Sequence, residues 1–243
     1  MRNVYQIGGK VIEIDSIYEE VHTLCKGYIC GQIPDFKVET SQSDIDFERK
    51  KSAAESRKEG IPVRHYTDEY LETLAVYRKI ADQMLSYDTL LFHGSVVAVD
   101  ETGYLFTAKS GTGKSTHARL WREYLGERAV MVNDDKPLLQ ITKNGVIAYG
   151  TPWDGKHHLS SNIAVPLKAI CILTRASENH IEPISKSTAY PMLLQQTYRP
   201  CDSLKMQKTL EILDRILNST NMYKLGCNMK IEAAETAYHA MKG

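Results

Sequence analysis

Residues 104–121 read YLFTAKSGTGKSTHARLW, and their order of residue types is that of a strand, a glycine loop and a helix. Leu105–Thr107 is apolar or β-branched, as in a short buried strand. Strand, glycine loop, Lys-Ser and helix together form the pattern of a phosphate-binding (Walker A) loop. The sequence therefore predicts that a nucleotide phosphate binds to Ser110, Gly111, Thr112, Gly113, Lys114, Ser115 and Thr116.

The chemistry of that loop follows from its residue types. Backbone N–H groups of the loop and of the helix N-terminus point at an anion, and the helix dipole adds partial positive charge there. Lys114 supplies a full positive charge for the β- and γ-phosphates, and the Ser115 hydroxyl is a ligand for Mg²⁺.

One position departs from the strict pattern, which begins with glycine, because this chain has Ala108 there. Alanine is acceptable only if the backbone keeps a negative φ and no other atom needs the space of its methyl group. The motif is therefore a relaxed version of the phosphate loop.

Bulk composition excludes several classes of protein. The chain has 243 residues, 30 basic and 30 acidic side chains, and therefore no charge excess that would favour nucleic acid. No apolar run is long enough for a membrane helix, and the N-terminus lacks the apolar core of a signal peptide. The five cysteines are scattered without a C-x-x-C pair. This cysteine pattern favours reduced thiols and therefore a cytoplasmic protein. The lack of a long apolar run predicts that the protein does not bind membranes.

The hydrophobic pattern predicts a mixed α/β fold in two parts. Residues 1–87 form a small α+β region that ends in a lead-in helix from Thr67, and residues 88–243 form the domain with the glycine loop. In the first part, a hairpin is predicted around Gly8-Gly9, a helix over 16–26 and a strand over 36–40. The mixed charges of residues 44–58 fit either a solvated helix face or a mobile loop.

The second part is rich in strands and has few crossover helices, so a simple doubly wound sheet is not expected. Its predicted strands are 96–99, 104–107, 129–132, 138–141, 146–149, 167–173 and 222–225. Its predicted helices are 115–124, 204–217 and 231–241.

Two further features accompany the glycine loop. Asp134 and Asp135 follow the apolar strand 129–132, about twenty residues after Lys114. A carboxylate at that place typically holds Mg²⁺, and a second one can act as base toward an acceptor hydroxyl. His93 precedes the strand pair that leads into the loop. By itself this histidine is more often structural than catalytic.

Taken together, His93-Gly94, S-G-T-G-K-S-T at 110–116 and V-N-D-D at 132–135 resemble the catalytic domain of HPr kinase/phosphorylase. That family phosphorylates a serine on a carrier protein, and it shares a variant P-loop fold with phosphoenolpyruvate carboxykinase. The resemblance covers residues 88–175, roughly a third of the chain.

The resemblance implies roles for individual residues. Lys114 and Ser115 bind phosphate and metal, Asp134 takes the acceptor proton, His93 positions Asp134, and Asp135 lies near the metal. It also implies ATP as phosphoryl donor, Mg²⁺ as cofactor and assembly into a homo-oligomer. Thr116 stands where HPr kinases tend to carry an acidic residue, and the segment associated with the reverse reaction is absent. The resemblance therefore leaves the acceptor open.

The leading interpretation is an ATP- and Mg²⁺-dependent kinase for a hydroxyl, preferably serine, of a protein, peptide or small molecule. The alternative is a nucleotide-binding regulatory module without transfer activity, which would not need Asp134 or His93. A carboxykinase is disfavoured, because that family's chains are more than twice as long and its further metal ligands are not found here.

Three residues near these motifs keep open roles. Lys136 can face either the phosphates or solvent. In the turn-rich segment 150–158, Trp153 can line a pocket or anchor the loop, and Lys156 can contact the triphosphate or an anionic acceptor.

Overall fold

A computed structural model describes residues 1–155 and 158–243, which divide into two compact units, Met1–Gln83 and Met84–Gly243. The mixed α/β class predicted from the sequence is confirmed. Among the described residues, no helix combines the length and hydrophobicity needed to cross a bilayer. All five cysteines are unpaired.

The first unit is a three-stranded sheet with three helices. Strands β1 and β2 form the predicted antiparallel hairpin, in which Gly8 and Gly9 adopt positive φ angles of 62° and 74°. Strand β3 pairs in parallel with β2. The elements are β1 (Arg2–Ile7), β2 (Lys10–Asp15), α1 (Glu20–Leu24), β3 (Phe36–Glu39), α2 (Gln42–Glu59) and α3 (Asp68–Met84).

The charged segment 44–58 lies within helix α2, so of the two predicted alternatives the helix is the correct one. Glu48 on this helix is buried and forms an ion pair of 2.5 Å with Arg78 of α3. Another carboxylate, that of Glu72, is fully buried and accepts hydrogen bonds of 2.8 Å from the backbone of Ile17 and Tyr18. The predicted helix over 16–26 is shorter than expected, because only α1 and a 3₁₀ turn form there.

The described residues of the second unit form a mixed nine-stranded sheet with four helices. Its main path is β4-β8-β9-β10-β6-β5-β7, and β12 pairs with β10 and β11. The strands are β4 (Thr89–Leu91), β5 (Ser95–Val99), β6 (Thr102–Thr107), β7 (Ala129–Asn133), β8 (Leu138–Thr142), β9 (Gly145–Tyr149), β10 (Ala164–Arg175), β11 (His180–Pro183) and β12 (Asn221–Cys227). The helices are α4 (Lys114–Leu125), α5 (Lys186–Gln196), α6 (Ser203–Ser219) and α7 (Glu232–Lys242).

Helices cover both faces of this sheet. Successive strand residues point to opposite faces, so Leu105 and Ile170 join the core under α5 and α6, whereas Phe106 and Cys171 join the core under α4 and α7. On the second face Trp121 of α4 is completely buried and contacts the rings of Tyr104, Phe106 and Tyr238. This packing fixes the helix that begins at the glycine loop.

The topology brings the ends of β6 and β7 to one edge of the sheet. Strand β5 lies between them and is antiparallel to both, so its first residue, Ser95, lies at the same edge. The strands and helices predicted for this unit are present with small differences at their ends. Strands β4 and β11 and helix α5 were not predicted, and α5 includes Pro191 in its interior.

Candidate phosphotransfer site

The glycine loop joins the end of β6 to the start of α4. Gly111 and Gly113 have φ angles of 74° and 118°, in a region of backbone conformation that residues other than glycine rarely adopt. Ala108 is fully buried and is not among the residues with positive φ, so the backbone condition for an alanine at this position is met. The Arg175 side chain donates a hydrogen bond to the carbonyl of Gly111.

Lys114 is the first residue of α4, and Ser115 and Thr116 follow in its first turn. Burial lowers the pKa of the Lys114 ammonium, and the negative charges of Asp135 and Asp134 oppose this shift. Ser115, the residue after Lys114, lines one cavity together with Asp134, so the structure brings the glycine loop and the acidic turn together although about twenty positions separate them in the sequence.

Asn133, the last residue of β7, shapes the acidic turn. Its side-chain oxygen accepts hydrogen bonds from the backbone N–H of Asp135 at 2.9 Å and of Lys136 at 2.6 Å. Its amide nitrogen donates to the carbonyl oxygen and the hydroxyl of Thr151, both at 3.1 Å. One buried side chain therefore fixes the turn and ties it to the segment that begins at Gly150.

Asp134 has a confined and polar environment. It is 4% exposed, and its Oδ1 accepts a hydrogen bond of 2.9 Å from the hydroxyl of Ser95. Its Oδ2 faces Gly155, where an added Cβ would lie only 2.8 Å away. The carboxylate can keep this position because residue 155 has no side chain.

Asp135 lies beside a histidine and a lysine. Its Oδ1 lies 3.1 Å from His93 Nε2, and its Oδ2 lies 3.5 Å from the Lys136 ammonium. Burial alone would raise the pKa of Asp135, but the His93 hydrogen bond and the charges of Lys136, His93 and Lys114 outweigh it. The pKa therefore lies below its ordinary value, and Asp135 is ionised at neutral pH.

The contacts of His93 require a correction. The resemblance implied that His93 positions Asp134, but the His93 side chain contacts Asp135, and Asp134 accepts a hydrogen bond from Ser95. On its other side, His93 Nδ1 lies 2.8 Å from Oε1 of Gln196, at the end of α5. The backbone N–H of His93 also donates to the Gln196 carbonyl at 2.7 Å.

The residues predicted to hold a metal fit Mg²⁺ by their chemistry. No cluster of three or more His, Cys, Asp or Glu in residues 1–155 and 158–243 could bind a metal ion by itself. Mg²⁺ is usually held by one or two protein oxygens together with phosphates and water. The Ser115 hydroxyl and the ionised Asp135 carboxylate are oxygen ligands of that kind.

A cavity of about 420 Å³ adjoins the acidic turn. Ser115 and Asp134 line it together, and its wall also includes Arg119 and Arg122 from the same helix. A second cavity of about 500 Å³ adjoins the glycine loop and is lined in part by Gly113, His117 and Leu173. The loop and the first turn of α4 therefore border two spaces, one of which contains the predicted base.

The sequence left the roles of Lys136, Trp153 and Lys156 open, and the structure bears on the first two. Lys136 is partly exposed and faces Asp135. Trp153 is 4% exposed and its carbonyl accepts from Asn133 at 3.4 Å, which favours the anchoring role. Lys156 lies outside the described residues.

Sequence reasoning missed Ser95, Asn133, Gly155 and Gln196. Asn133 and Gly155 lie within or next to motifs already noted, so their position was a usable signal. Ser95 and Gln196 contact residues 39 and 103 positions away in the chain, and no local pattern marks such contacts.

The fold and site define an α/β protein in which a glycine loop, a lysine and an acidic turn meet at one sheet edge. Comparison with family models matches residues 63–230 to "ScmC: SynChlorMet cassette protein ScmC". Because this match covers more than half of the chain, the chain belongs to the ScmC family. The family shown is therefore ScmC, and not the HPr kinase family that the motifs resemble.

The chain was also compared with curated proteins and with solved structures. No curated protein matches the chain significantly. Among solved structures, the chain is similar to that of the Hpr(Ser) kinase/phosphatase from Coxiella burnetii. The two are 12% identical, with a TM-score of 0.35 over 63% of this chain and 99% of that one.

Proposed function

We propose that this protein is an ATP- and Mg²⁺-dependent kinase that phosphorylates a hydroxyl group, with serine as the favoured acceptor. The observation that carries the proposal is the convergence at one sheet edge. Ser115, the residue after Lys114 at the start of α4, and Asp134 of the acidic turn line one cavity. A module that only binds nucleotide has no need of a buried carboxylate facing an open space beside its phosphate loop.

The glycine loop and Lys114 bind the triphosphate. Backbone N–H groups at the start of α4 and the lysine ammonium neutralise phosphate charge, which is the main requirement of phosphoryl transfer. Ser115 and Asp135 would hold Mg²⁺. The ion supplies further neutralisation of charge on the β- and γ-phosphates.

Asp134 acts as the general base in this proposal. The acceptor oxygen forms a bond to the γ-phosphorus while the bond from that phosphorus to the oxygen bridging to the β-phosphate breaks. The proton of the acceptor hydroxyl passes to the Asp134 carboxylate, and ADP leaves. Ser95 and Gly155 keep the carboxylate in place, because one donates to it and the other leaves it room. General bases of this kind typically contribute ~10²–10⁴-fold to the rate.

The first test is nucleotide binding measured by thermal melting with ATP, ADP, GTP or pyrophosphate, each with and without Mg²⁺. A ligand at a hundredfold excess over its Kd stabilises the native state by about 2.7 kcal/mol. We expect a Mg²⁺-dependent rise in melting temperature with ATP that disappears in Lys114→Ala. Lys109→Ala is the matched control, because Lys109 is exposed and lies in the same loop.

The possible results separate the proposal from its alternatives. A rise with GTP alone would replace ATP as donor. A rise that persists in Lys114→Ala would place nucleotide binding elsewhere in the chain. The absence of a rise with every ligand would contradict the proposed function.

A further inference from the structure

One face of α4 carries the positive charge of the cavity beside Asp134. Ser115, Arg119 and Arg122 are spaced by four and three residues, and all three line this cavity. Residues at these spacings lie on the same side of a helix. The helical rise of 1.5 Å per residue places the arginines ~6 Å and ~10 Å along the axis from Ser115. Positive charge therefore extends from the phosphate loop along one wall.

The carboxylates of the protein neutralise the charges of these two guanidinium groups only weakly. Arg119 forms an ion pair with Glu123 of the same helix, and both side chains are about half exposed. Exposed pairs of this kind contribute little, so a ligand carboxylate can replace Glu123. Arg122 is half-buried, and no carboxylate in the part of the chain that the structure describes is within ion-pair distance of it.

Arginines outnumber carboxylates among the described residues that line the cavity. Asp134 is the one carboxylate among the described residues that line it, and it is held by the Ser95 hydroxyl. The remaining walls include the apolar Met131 and Leu159. The described lining residues therefore present two arginines and one aspartate to a ligand, and Glu123 partly offsets the charge of Arg119.

We infer that the acceptor is a hydroxyl compound that carries a carboxylate several bonds from the phosphorylated oxygen. This inference rests on the proposed function. A planar guanidinium forms paired, charge-assisted hydrogen bonds with a carboxylate. The separation of the arginines from Ser115 suits an acidic residue near a serine in a peptide better than the carboxylate of the serine itself. Arg119 and Arg122 select the acceptor, and Asp134 receives its proton.

The test compares acceptors that differ only in charge. Three pentapeptide amides place serine at the centre with aspartate, asparagine or lysine on both sides, and free L-serine is compared with L-serinamide. Transfer of label from γ-labelled ATP is measured for wild type and for Arg119→Gln/Arg122→Gln. We expect the aspartate peptide to react about tenfold faster than the asparagine peptide, and the lysine peptide to react slowest.

The double variant should lose this order while its melting-temperature rise with ATP and Mg²⁺ stays unchanged. Arg57→Gln, an exposed arginine of α2, is the control and should keep the order. Preference for free L-serine over both L-serinamide and the aspartate peptide would identify a small hydroxy acid as the source of the carboxylate. Equal rates for the three peptides, faster reaction of the lysine peptide, or an order that survives in the double variant would overturn the inference.

If no acceptor is phosphorylated, a binding measurement tests the inference instead. Peptides with alanine in place of serine are titrated calorimetrically into protein saturated with Mg²⁺ and a non-hydrolysable ATP analogue. Tighter binding of the aspartate peptide, lost in the double variant, supports the inference, and equal binding overturns it. A protein that shows no melting-temperature rise with any nucleotide fails the proposed function instead, and the basis of the inference falls with it.

Discussion

Asp134 and Asp135 are neighbours in the chain, but their side chains have different partners in the structure. Asp134 has a neutral hydroxyl and a glycine beside it and borders a cavity, whereas Asp135 has a histidine and a lysine. A cation beside a carboxylate favours its ionised form, which suits the metal ligand's role proposed for Asp135. The base's role proposed for Asp134 rests instead on the cavity that its carboxylate borders.

The largest expected effect comes from removing the charge on the Asp134 side. Asp134→Asn keeps the shape of the side chain but cannot accept the acceptor's proton, so we expect kcat to fall by ~10²–10⁴-fold. Nucleotide binding measured by melting should remain. Asp135→Asn is the matched variant and should weaken the Mg²⁺-dependent part of nucleotide binding. The division of roles is wrong if the two variants show the same pair of defects.

A smaller effect is expected from crowding Asp134 without changing it. In Gly155→Ala the new methyl group would lie 2.8 Å from Oδ2 of Asp134, so the carboxylate must move by a few tenths of an ångström. A displacement of 1 Å at a reacting group can cost ~10²-fold in rate, and we expect about a tenfold loss here. The loss should appear in kcat at saturating nucleotide. Unchanged kcat in a variant that melts like wild type would show that Gly155 does not position Asp134.

The smallest effect concerns the Asp135 side and appears in stability. A carboxylate whose folded-state pKa is lowered stabilises the protein above its unfolded-state pKa, about 3.9 for aspartate, and loses this contribution as pH falls. Urea unfolding of wild type and Asp135→Asn should therefore differ more at pH 7 than at pH 3.5, with wild type the more stable at pH 7. An equal difference at both pH values would show that Asp135 is not stabilised in its ionised form.

The sequence predicted those parts of the site that are local in the chain. The strand, glycine loop and helix of residues 104–121 form one continuous pattern, and Asp134 and Asp135 end an obvious apolar strand. Helix α5 was missed because Pro191 lies in its interior, where proline normally breaks a helix. With α5 unpredicted, Gln196 and its contact to His93 had no place in the prediction.

The partner of His93 could not be read from order along the chain. Asp134 and Asp135 are one residue apart, so their side chains point in different directions, and spacing does not say which one faces His93. The pairing of β5 with β7, which leads into the acidic turn, shifts its register between Val96 and Val97. Irregular pairing of this kind follows from tertiary packing.

Arg175 has a thermodynamic consequence for ligand binding. Its hydrogen bond to the Gly111 carbonyl holds the glycine loop from the end of β10 before any phosphate arrives. Ordering a flexible backbone costs ~1–2 kcal/mol for each residue, and glycines lose the most freedom. A hydrogen bond that restricts the loop in the free protein lowers this cost on association. Phosphate binding should therefore carry a smaller entropic penalty in the wild-type protein than in one without this arginine.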